Sequence, residues 1–577
     1  MKSVKVSGGK SSGGLWRAAC VVALTATACL ATGFMAGKVY MDGVNGNSSS
    51  SMPALTTGLA ASSSTIPGPV CFNTCTRARD GVCDEGRYNV SGPLSMMTEA
   101  TAHQAYCDLG TDCEDCGAWE PTAAPSWHEE KREGPVALLQ SRGVEIRVKS
   151  TVFELDSKPA FFFAYTDPAK DLDVSANMEN RRAVEYGITH VFYRIFKDGC
   201  VKADGSRSLF LDVGSNFGWF TVLAARMGCR VIAYEPVPQF RAFLEYNVHL
   251  NGLEHLVEVR KNVVSHEHGV DMTMVVPSGG IWGTAGINGD NIDRAASKNV
   301  EEIKVASVSL DKTVSQPALL MKVDVEGWEW SVMQGAEKLL RNRAVENIIM
   351  EYSPGVPERH FNFLHMKLTV EMLMALIKHG FRIGHIGDMN KHEGSDWDSQ
   401  LGSLEEVTLG NLVYDRHDVD LWEKDTLGCP LDESLLMFQG WGRFGCGRSL
   451  PEDVSPFSLR SMIGHNTNLW ASTSDHLLPL GGTVGIIDLG QDLKNDFFVP
   501  DSQPAGMGSR ICKDLPAMVQ VRHRCHCSHE ECQAEEAAVA AVSAAGRMAA
   551  NYQLPSPEKD PRSVKMTCKC VGAECTC

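Results

Sequence analysis

Residues 209–251 read LFLDVGSNFGWFTVLAARMGCRVIAYEPVPQFRAFLEYNVHLN. An apolar run, 209–213, ends in the loop Gly214-Ser215-Asn216-Phe217-Gly218. A helix-like segment follows, then a second apolar run, 231–234, closed by Glu235-Pro236. This is a β-loop-α-β unit with a glycine-rich first loop and a carboxylate at the end of its second strand. Such units take adenosine-type ligands, because glycines let backbone amides approach the ligand and the acid accepts ribose hydroxyls.

The spacing narrows the ligand. A dinucleotide loop needs G-x-G-x-x-G, whose second glycine makes room for a pyrophosphate. Here the order is D-x-G-x-N-x-G, from Asp212 through Gly214 and Asn216 to Gly218, so a pyrophosphate would meet the Asn216 side chain. S-adenosylmethionine carries no phosphate and tolerates a side chain at that position. Glu235 follows Gly214 at the usual distance for a ribose acid.

Composition is globular, with 43% hydrophobic and 22% charged residues, and 577 residues allow several domains. The formal charge of −17 speaks against a nucleic-acid partner, since phosphate binding wants a basic surface. The first 41 residues carry five lysines and arginines and no acid. Between Arg17 and Lys38 lie 20 uncharged residues, 18–37, long enough to cross a bilayer once. Flanking charge then puts residues 1–17 in the cytosol and the body in the lumen, as a single-pass type II protein of the Golgi or another secretory compartment. A cleaved signal peptide or an organelle transit peptide is the competing reading of this segment. The 20 cysteines include six between Cys71 and Cys116 and eight between Cys512 and Cys577, dense clusters that read as disulfide frameworks. Sequons at Asn47 and Asn89 agree with a glycosylated lumenal chain.

Residues 38–69 read as a flexible stem and 70–119 as a cysteine-rich module, with 120–136 as a linker. The module's D-G-x-C-D and C-D-x-G-x-D-C pieces look like a degenerate Notch-type repeat. Its carboxylates beside turn glycines suit calcium, and a disulfide knot with a solvated acidic face accounts for them equally well. Residues 137–415 alternate apolar strands with helical patterns, the signal of a mainly parallel doubly wound sheet. Strands are expected at 257–264, 270–276, 319–325, 347–352 and 381–386, and helices at 240–250, 328–340 and 368–379. A glycine-rich loop at 277–300 is long enough to shape a substrate site, and its Trp282 either stacks on a sugar or pins the loop. Residues 416–511 give no clear period. In the cysteine-rich 512–577 segment the His/Cys run at 522–529 admits zinc, but its C-x-C spacing and the compartment favour disulfides.

A second chemical motif lies at 319–330, LLMKVDVEGWEW: an apolar strand ending in Asp324, then Glu326, a turn glycine and a helix. Ligands of doubly wound sheets bind beyond strand carboxyl ends, so Asp324 is the first candidate for proton transfer, with Glu326 and Glu351 behind it. Helix capping is the plain alternative for either of the first two.

The segments LDVGSNFGWFT (211–221), VIAYEPVP (231–238), YNVHLNGL (246–253), SLD (309–311), MKVDVEGWEWSVMQGA (321–336) and IIMEYSP (348–354) together resemble the FkbM family of S-adenosylmethionine-dependent methyltransferases. The resemblance spans about 205–415. It implies a Rossmann-like, seven-stranded α/β domain and methyl transfer to a hydroxyl, usually on a sugar or natural product. It assigns Asp212, Gly214, Asn216 and Gly218 to the cofactor loop, Glu235 to the ribose and Asn262 to the adenine side; no metal is assigned. The reading that follows is an O-methyltransferase acting on a glycan hydroxyl in the secretory pathway, with Asp324 as first choice of base. The rivals are a lumenal glycosyltransferase using a metal and a nucleotide sugar, and a non-catalytic cell-surface binding protein.

Overall fold

The computed structural model describes residues 68–87, 102–151, 160–292, 299–386, 404–427, 454–455, 457–474 and 478–483, with short strands at Cys525–His526, Lys569–Val571 and Glu574–Thr576. The segment 18–37, both sequons and most of 484–577 lie outside the described residues, and among those described no helix is long and apolar enough to cross a membrane. The chain divides into Met1–Ser63 and Ser64–Cys577, and every described residue belongs to the second unit.

Nine strands form the main sheet: β1 (Leu209–Val213), β2 (Arg230–Tyr234), β3 (Val257–Arg260), β4 (Ala318–Val323), β5 (Val345–Tyr352), β6 (Arg382–His385), β7 (Leu404–Val407), β8 (Thr467–Ser472) and β9 (Leu480–Thr483). Their order is β9-β7-β6-β8-β5-β4-β1-β2-β3, rather than the seven strands expected. From β3 to β5 all pairs are parallel, while β8 runs antiparallel to both β5 and β6. Strands buried on both faces read as continuous apolar runs, and alternate residues feed different cores. Leu211 and Val213 of β1 pack on one side, Phe210 on the other.

Three boundaries move. The strand expected at 257–264 breaks after Arg260, and Val263–Val264 joins a second sheet with Val300–Val308, Asp271–Pro277 and Gly286–Ile287. Val300–Val308 is largely exposed, so it cannot be an inner strand of the main sheet. The helix expected at 328–340, preceded in the chain by α1 (Tyr186–Gly199), α2 (Trp219–Arg226) and α3 (Pro238–Leu250), divides at Ala336 into α4 (Glu329–Gly335) and a short helix Glu337–Arg341. Most consequentially, the α/β domain does not end at 415. The helix Leu409–Asp425 runs through that point, and β8 inserts between β5 and β6. Asn347, fully buried, welds β8 in place: its Oδ1 accepts from Trp470 Nε1 (3.1 Å) and Ser472 Oγ (2.8 Å), and its Nδ2 donates to the Leu319 carbonyl (3.1 Å).

The cysteine-rich module carries Cys71–Cys113, Cys75–Cys107 and Cys83–Cys116 disulfides, and a fourth bridge, Cys200–Cys229, lies outside the two expected clusters. The module is not a free appendage. His103–Gln104 pairs with the strand Arg147–Ser150, Asp108 accepts from the amides of Val136 (2.8 Å) and Ala137 (3.0 Å), and Trp119 and Trp127 are buried against the α/β domain. The stretch expected as a linker is a strap, with Arg132 paired to Glu245 at 2.6 Å. The acidic residues considered for calcium are largely engaged with backbone amides: Asp112 with Asp84, Glu85 with Asp112, and Asp115 with Arg79 and Asp80.

A chain ending at residue 415 would lack β8 and strand Asn347 and the β5 edge without partners. It is expected to be insoluble or to lose cooperative unfolding by circular dichroism, since several buried polar groups go unmet at about 1–3 kcal/mol each. A soluble product melting like the full chain would contradict this placement.

Candidate active site

Strand order reverses between β1 and β4, whose chains continue outward in opposite directions, to β2 and β5. In open α/β sheets ligands bind beyond the strand ends at that reversal. The loops leaving β1 and β4 press together there. Gly214 has φ +79°, and a Cβ on it would lie 1.8 Å from the Asp324 carbonyl oxygen. Gly218 (φ +87°) starts α2 (Trp219–Arg226), and its Cβ would strike the Leu244 side chain of α3 (Pro238–Leu250) at 2.4 Å. The two glycines therefore serve close packing on either side of the loop.

Gly214, Asn216, Glu235, Asn262, Asp324 and Glu326 line one cleft, a concave space with apolar walls and a few convergent polar groups of the kind small molecules take. Glu235 closes its β2 side: Oε2 accepts from the Asn216 amide and Oε1 from the Val237 amide, both at 2.8 Å. Burial pushes its pKa up to about 7 despite those bonds. Asn216 adopts φ +51°, and its Oδ1 is buried with no hydrogen-bond partner, an acceptor aimed at nothing in the protein. Asn262 donates to the Ala306 carbonyl at 3.1 Å and so tethers the second sheet to the cleft wall.

Asp212 is the exception. It lies fully buried behind the loop, with Oδ2 accepting from Thr221 Oγ1 at 2.5 Å, and does not line the cleft. Strand alternation turns it toward α2, away from the ligand space, so its assignment to direct cofactor contact is corrected to fixing the first turn of α2. Gly218 likewise acts from behind, through packing.

Beyond the cleft's other end, carboxylate oxygens of Asp324, Glu326 and Glu351 lie within 4.8 Å of one another, a hard-oxygen set of the kind divalent cations take. Each has a different keeper. Lys322 Nζ contacts Asp324 Oδ2 and the Gly214 carbonyl, both at 3.0 Å. Asn291 Nδ2 donates to Glu326, and Ser353 Oγ donates to Glu351 at 3.0 Å. Burial, then mutual repulsion, raises the pKa of Glu326 and Glu351 well above the carboxylate range. Burial opposes the Lys322 ammonium, but Asp324, Asp212 and Glu185 outweigh it and raise its pKa.

The sequence reading missed several members of this site. Lys322 stood inside a quoted motif as a charge in an apolar strand, a signal that could have been used. Asp173 (pushed to about 6 by burial and Asp171) and Glu185 (pushed to about 8 by burial and Asp324) come from helical stretches before β1 that carry no motif. Glu329 accepts from the amides of Val325 (3.2 Å) and Gly327 (3.0 Å), holding the loop after β4. The 277–300 loop does border the cleft, through Gly283, Ala285, Gly286 and Ile287. Its Trp282 is a pin: 4% exposed and stacked on Phe240 at 6.0 Å.

Glu185 gives a pH test. Its folded pKa of about 8 exceeds the ordinary 4.5, so the folded state holds the proton more tightly than the unfolded chain. That contribution is fully present below about pH 4.5 and is lost as pH rises through about 8. Glu185→Gln should therefore melt near the wild-type temperature at about pH 5 and above it at about pH 9. Parallel melting curves across that window would show that Glu185 is not held in this environment.

Residues 212–383 match the family described as Methyltransferase FkbM domain. No curated protein matches the chain. Solved structures that match include Methyltransferase FkbM from Methylobacillus flagellatus KT (13% identity, 25% of this chain and 32% of that one, TM-score 0.17). Others are precorrin-6y C5,15-methyltransferase from Geobacter metallireducens GS-15 (9%, 36% and 75%, 0.20) and a SAM-dependent methyltransferase from Agrobacterium tumefaciens (12%, 38% and 58%, 0.20). The chain spans about a third of the first of these, and likeness at these TM-scores carries no argument; the family match over 212–383 stands by itself.

Proposed function

We propose that the methyltransferase domain transfers a methyl group from S-adenosylmethionine to a sugar hydroxyl of a glycan, in the secretory pathway. The observation that carries the reading is one cleft running from Glu235 and Asn216 to the Asp324–Glu326 carboxylates at the sheet's reversal point.

The residues suit this cofactor. Glu235 keeps lone pairs beyond those used by the two amides, for a ribose diol. The orphaned Asn216 Oδ1 suits the cofactor's ammonium group, and Phe240 and Ile287 offer apolar walls to adenine. No lysine or arginine lines the cleft, which argues against a pyrophosphate, whereas the carboxylates suit a sulfonium cation. When bound, S-adenosylmethionine supplies a methyl group on an already activated sulfur.

The protein's share is alignment and proton removal. The acceptor oxygen forms its bond to the methyl carbon as the carbon–sulfur electron pair leaves with sulfur, and Asp324 takes the hydroxyl proton. Burial and neighbouring carboxylates raise the pKa of Glu326 and Glu351 well above the ordinary carboxylate value, which favours their protonated forms and leaves Asp324 the first choice of base. Lys322 orients Asp324 from behind. Four disulfides among the described residues, together with the apolar segment 18–37, support an oxidising, membrane-attached setting.

Glu235→Ala should weaken S-adenosylmethionine binding roughly 10- to 100-fold by calorimetry, the loss of a hydrogen bond to a buried charged group. Asp324→Asn should bind the cofactor within about twofold of wild type and lose on the order of 10²- to 10⁴-fold in turnover. Binding of a nucleotide sugar with manganese, and not of S-adenosylmethionine, would replace this reading with a glycosyltransferase. Binding of neither would leave a non-catalytic protein.

A further inference from the structure

A second, shallow recess opens beside the cofactor cleft. The two share Ile287, Glu326 and Trp328, so Glu326 stands where the spaces meet. The new walls come from elements the cofactor does not reach: Asp290 from the glycine-rich loop, and His360, Asn362 and His365 from the turn into the helix Phe363–Lys378.

The polar atoms of this recess are short of partners. The indole Nε1 of Trp328 is buried without a hydrogen bond. His365 is held edge-on to Trp328 (5.4 Å) and tilted against Trp330 (4.8 Å), and its ring nitrogens bond to none of the described residues. Burial lowers its pKa, so the ring is neutral and offers one donor and one acceptor. Asn362 uses its Oδ1 to cap the helix at His365 N (3.1 Å), leaving the amide NH₂ to face the recess. The Asp290 carboxylate takes no hydrogen bond from the described residues, while its carbonyl is held by His360 Nε2 at 2.7 Å. Buried polar groups are normally paired, so the buried, unpartnered Trp328 Nε1 calls for an acceptor, and the half-buried Asp290, Asn362 and His365 offer further polar atoms beside it.

We infer that this recess is the acceptor subsite, and that it takes an uncharged pyranose ring. The inference rests on the methyltransferase reading of the neighbouring cleft and deepens it. A sugar presents adjacent hydroxyls that donate and accept at once, and an apolar C–H face. The carboxylate, amide, neutral imidazole and indole N–H answer the hydroxyls, and the Trp328 ring answers the C–H face. No lysine or arginine lines the recess, and Asp290 and Glu326 border it. An acceptor bearing phosphate, sulfate or a carboxylate would meet the Asp290 carboxylate with no compensating cation. Trp282, the aromatic residue that the sequence offered for sugar stacking, is buried elsewhere, and Trp328 occupies that role.

The test uses the full chain loaded with S-adenosylhomocysteine and saturation-transfer NMR with neutral methyl pyranosides (gluco, galacto, manno and N-acetylgluco), alongside glucuronide and sugar 6-phosphate probes. Wild type is expected to bind at least one neutral probe and neither anionic one. Asp290→Ala and His365→Phe are each expected to weaken that binding at least about tenfold, with S-adenosylmethionine affinity within about twofold, which also certifies that the variants fold. Trp328→Phe, which keeps an aromatic face but loses the pyrrole half of the indole with its N–H, should also weaken neutral-probe binding, and it decides the matter if the other variants misfold. Cofactor binding without any neutral-probe binding, preference for the anionic probes, or variants that bind sugar normally would each overturn the subsite while leaving the cofactor reading standing. Failure of the wild type to bind S-adenosylmethionine would remove both.

Discussion

The close approach of two backbone turns governs this molecule. Gly214 and Asp324 leave neighbouring strands and touch so tightly that no side chain fits between them, and the Asp324 amide is tied to the Val213 carbonyl at 3.1 Å. Lys322 completes the joint by bridging the Gly214 carbonyl and the Asp324 carboxylate. Because the joint sits where the sheet reverses, both functional loops are fixed to one rigid seam, and the cleft inherits its width from backbone geometry. Sites placed this way need little reorganisation to hold a reacting pair, which is where much of the advantage of a bound reaction arises.

The second constraint is charge. Asp173, Glu185, Asp212, Asp324, Glu326, Glu329 and Glu351 crowd the region, and Lys322 is the lysine to which several of them are electrostatically coupled. Burial of so many ionised carboxylates would be costly, and proteins usually neutralise such groups instead of ionising them all. The raised pKa values of Glu185, Glu326, Glu329 and Glu351 are that outcome. The crowding thus biases several of these carboxylates toward their protonated forms, while Asp324 stands against the Lys322 ammonium at 3.0 Å.

Much of this was legible before the coordinates. The glycine loop, Glu235 and the Asp324–Glu326 pair each stand at a strand end, and strand ends follow from apolar runs bounded by turn residues. Asp212 misled because a motif records spacing along the chain and not which way a strand residue faces; its phase with Phe210 and against Leu211 and Val213 held the answer. The β8 strand at 467–472 was invisible because its pairing partners lie more than 80 residues away and segments of weak pattern intervene. Glu185 and Asp173 had no signal at all, since only tertiary packing brings them to Asp324.

The cysteine-rich module shows why reading domains as beads misses coupling. Its disulfides fix a small knot that could not bury enough surface alone. The knot then grips α3: Tyr246 donates to the Glu85 carbonyl, and the strap's Arg132 pairs with Glu245. One turn earlier on the same helix, Arg241 donates to the carbonyls of Glu235 (3.2 Å) and Pro236 (3.1 Å). The helix that the module clamps is thus the helix whose first turn shapes the Glu235 loop. Its bridges stabilise the fold mainly by restricting the unfolded chain, but their position also places them one helix away from the chemistry. A chain built this way has its disulfide-bonded module and the Glu235 loop joined through a single element, α3.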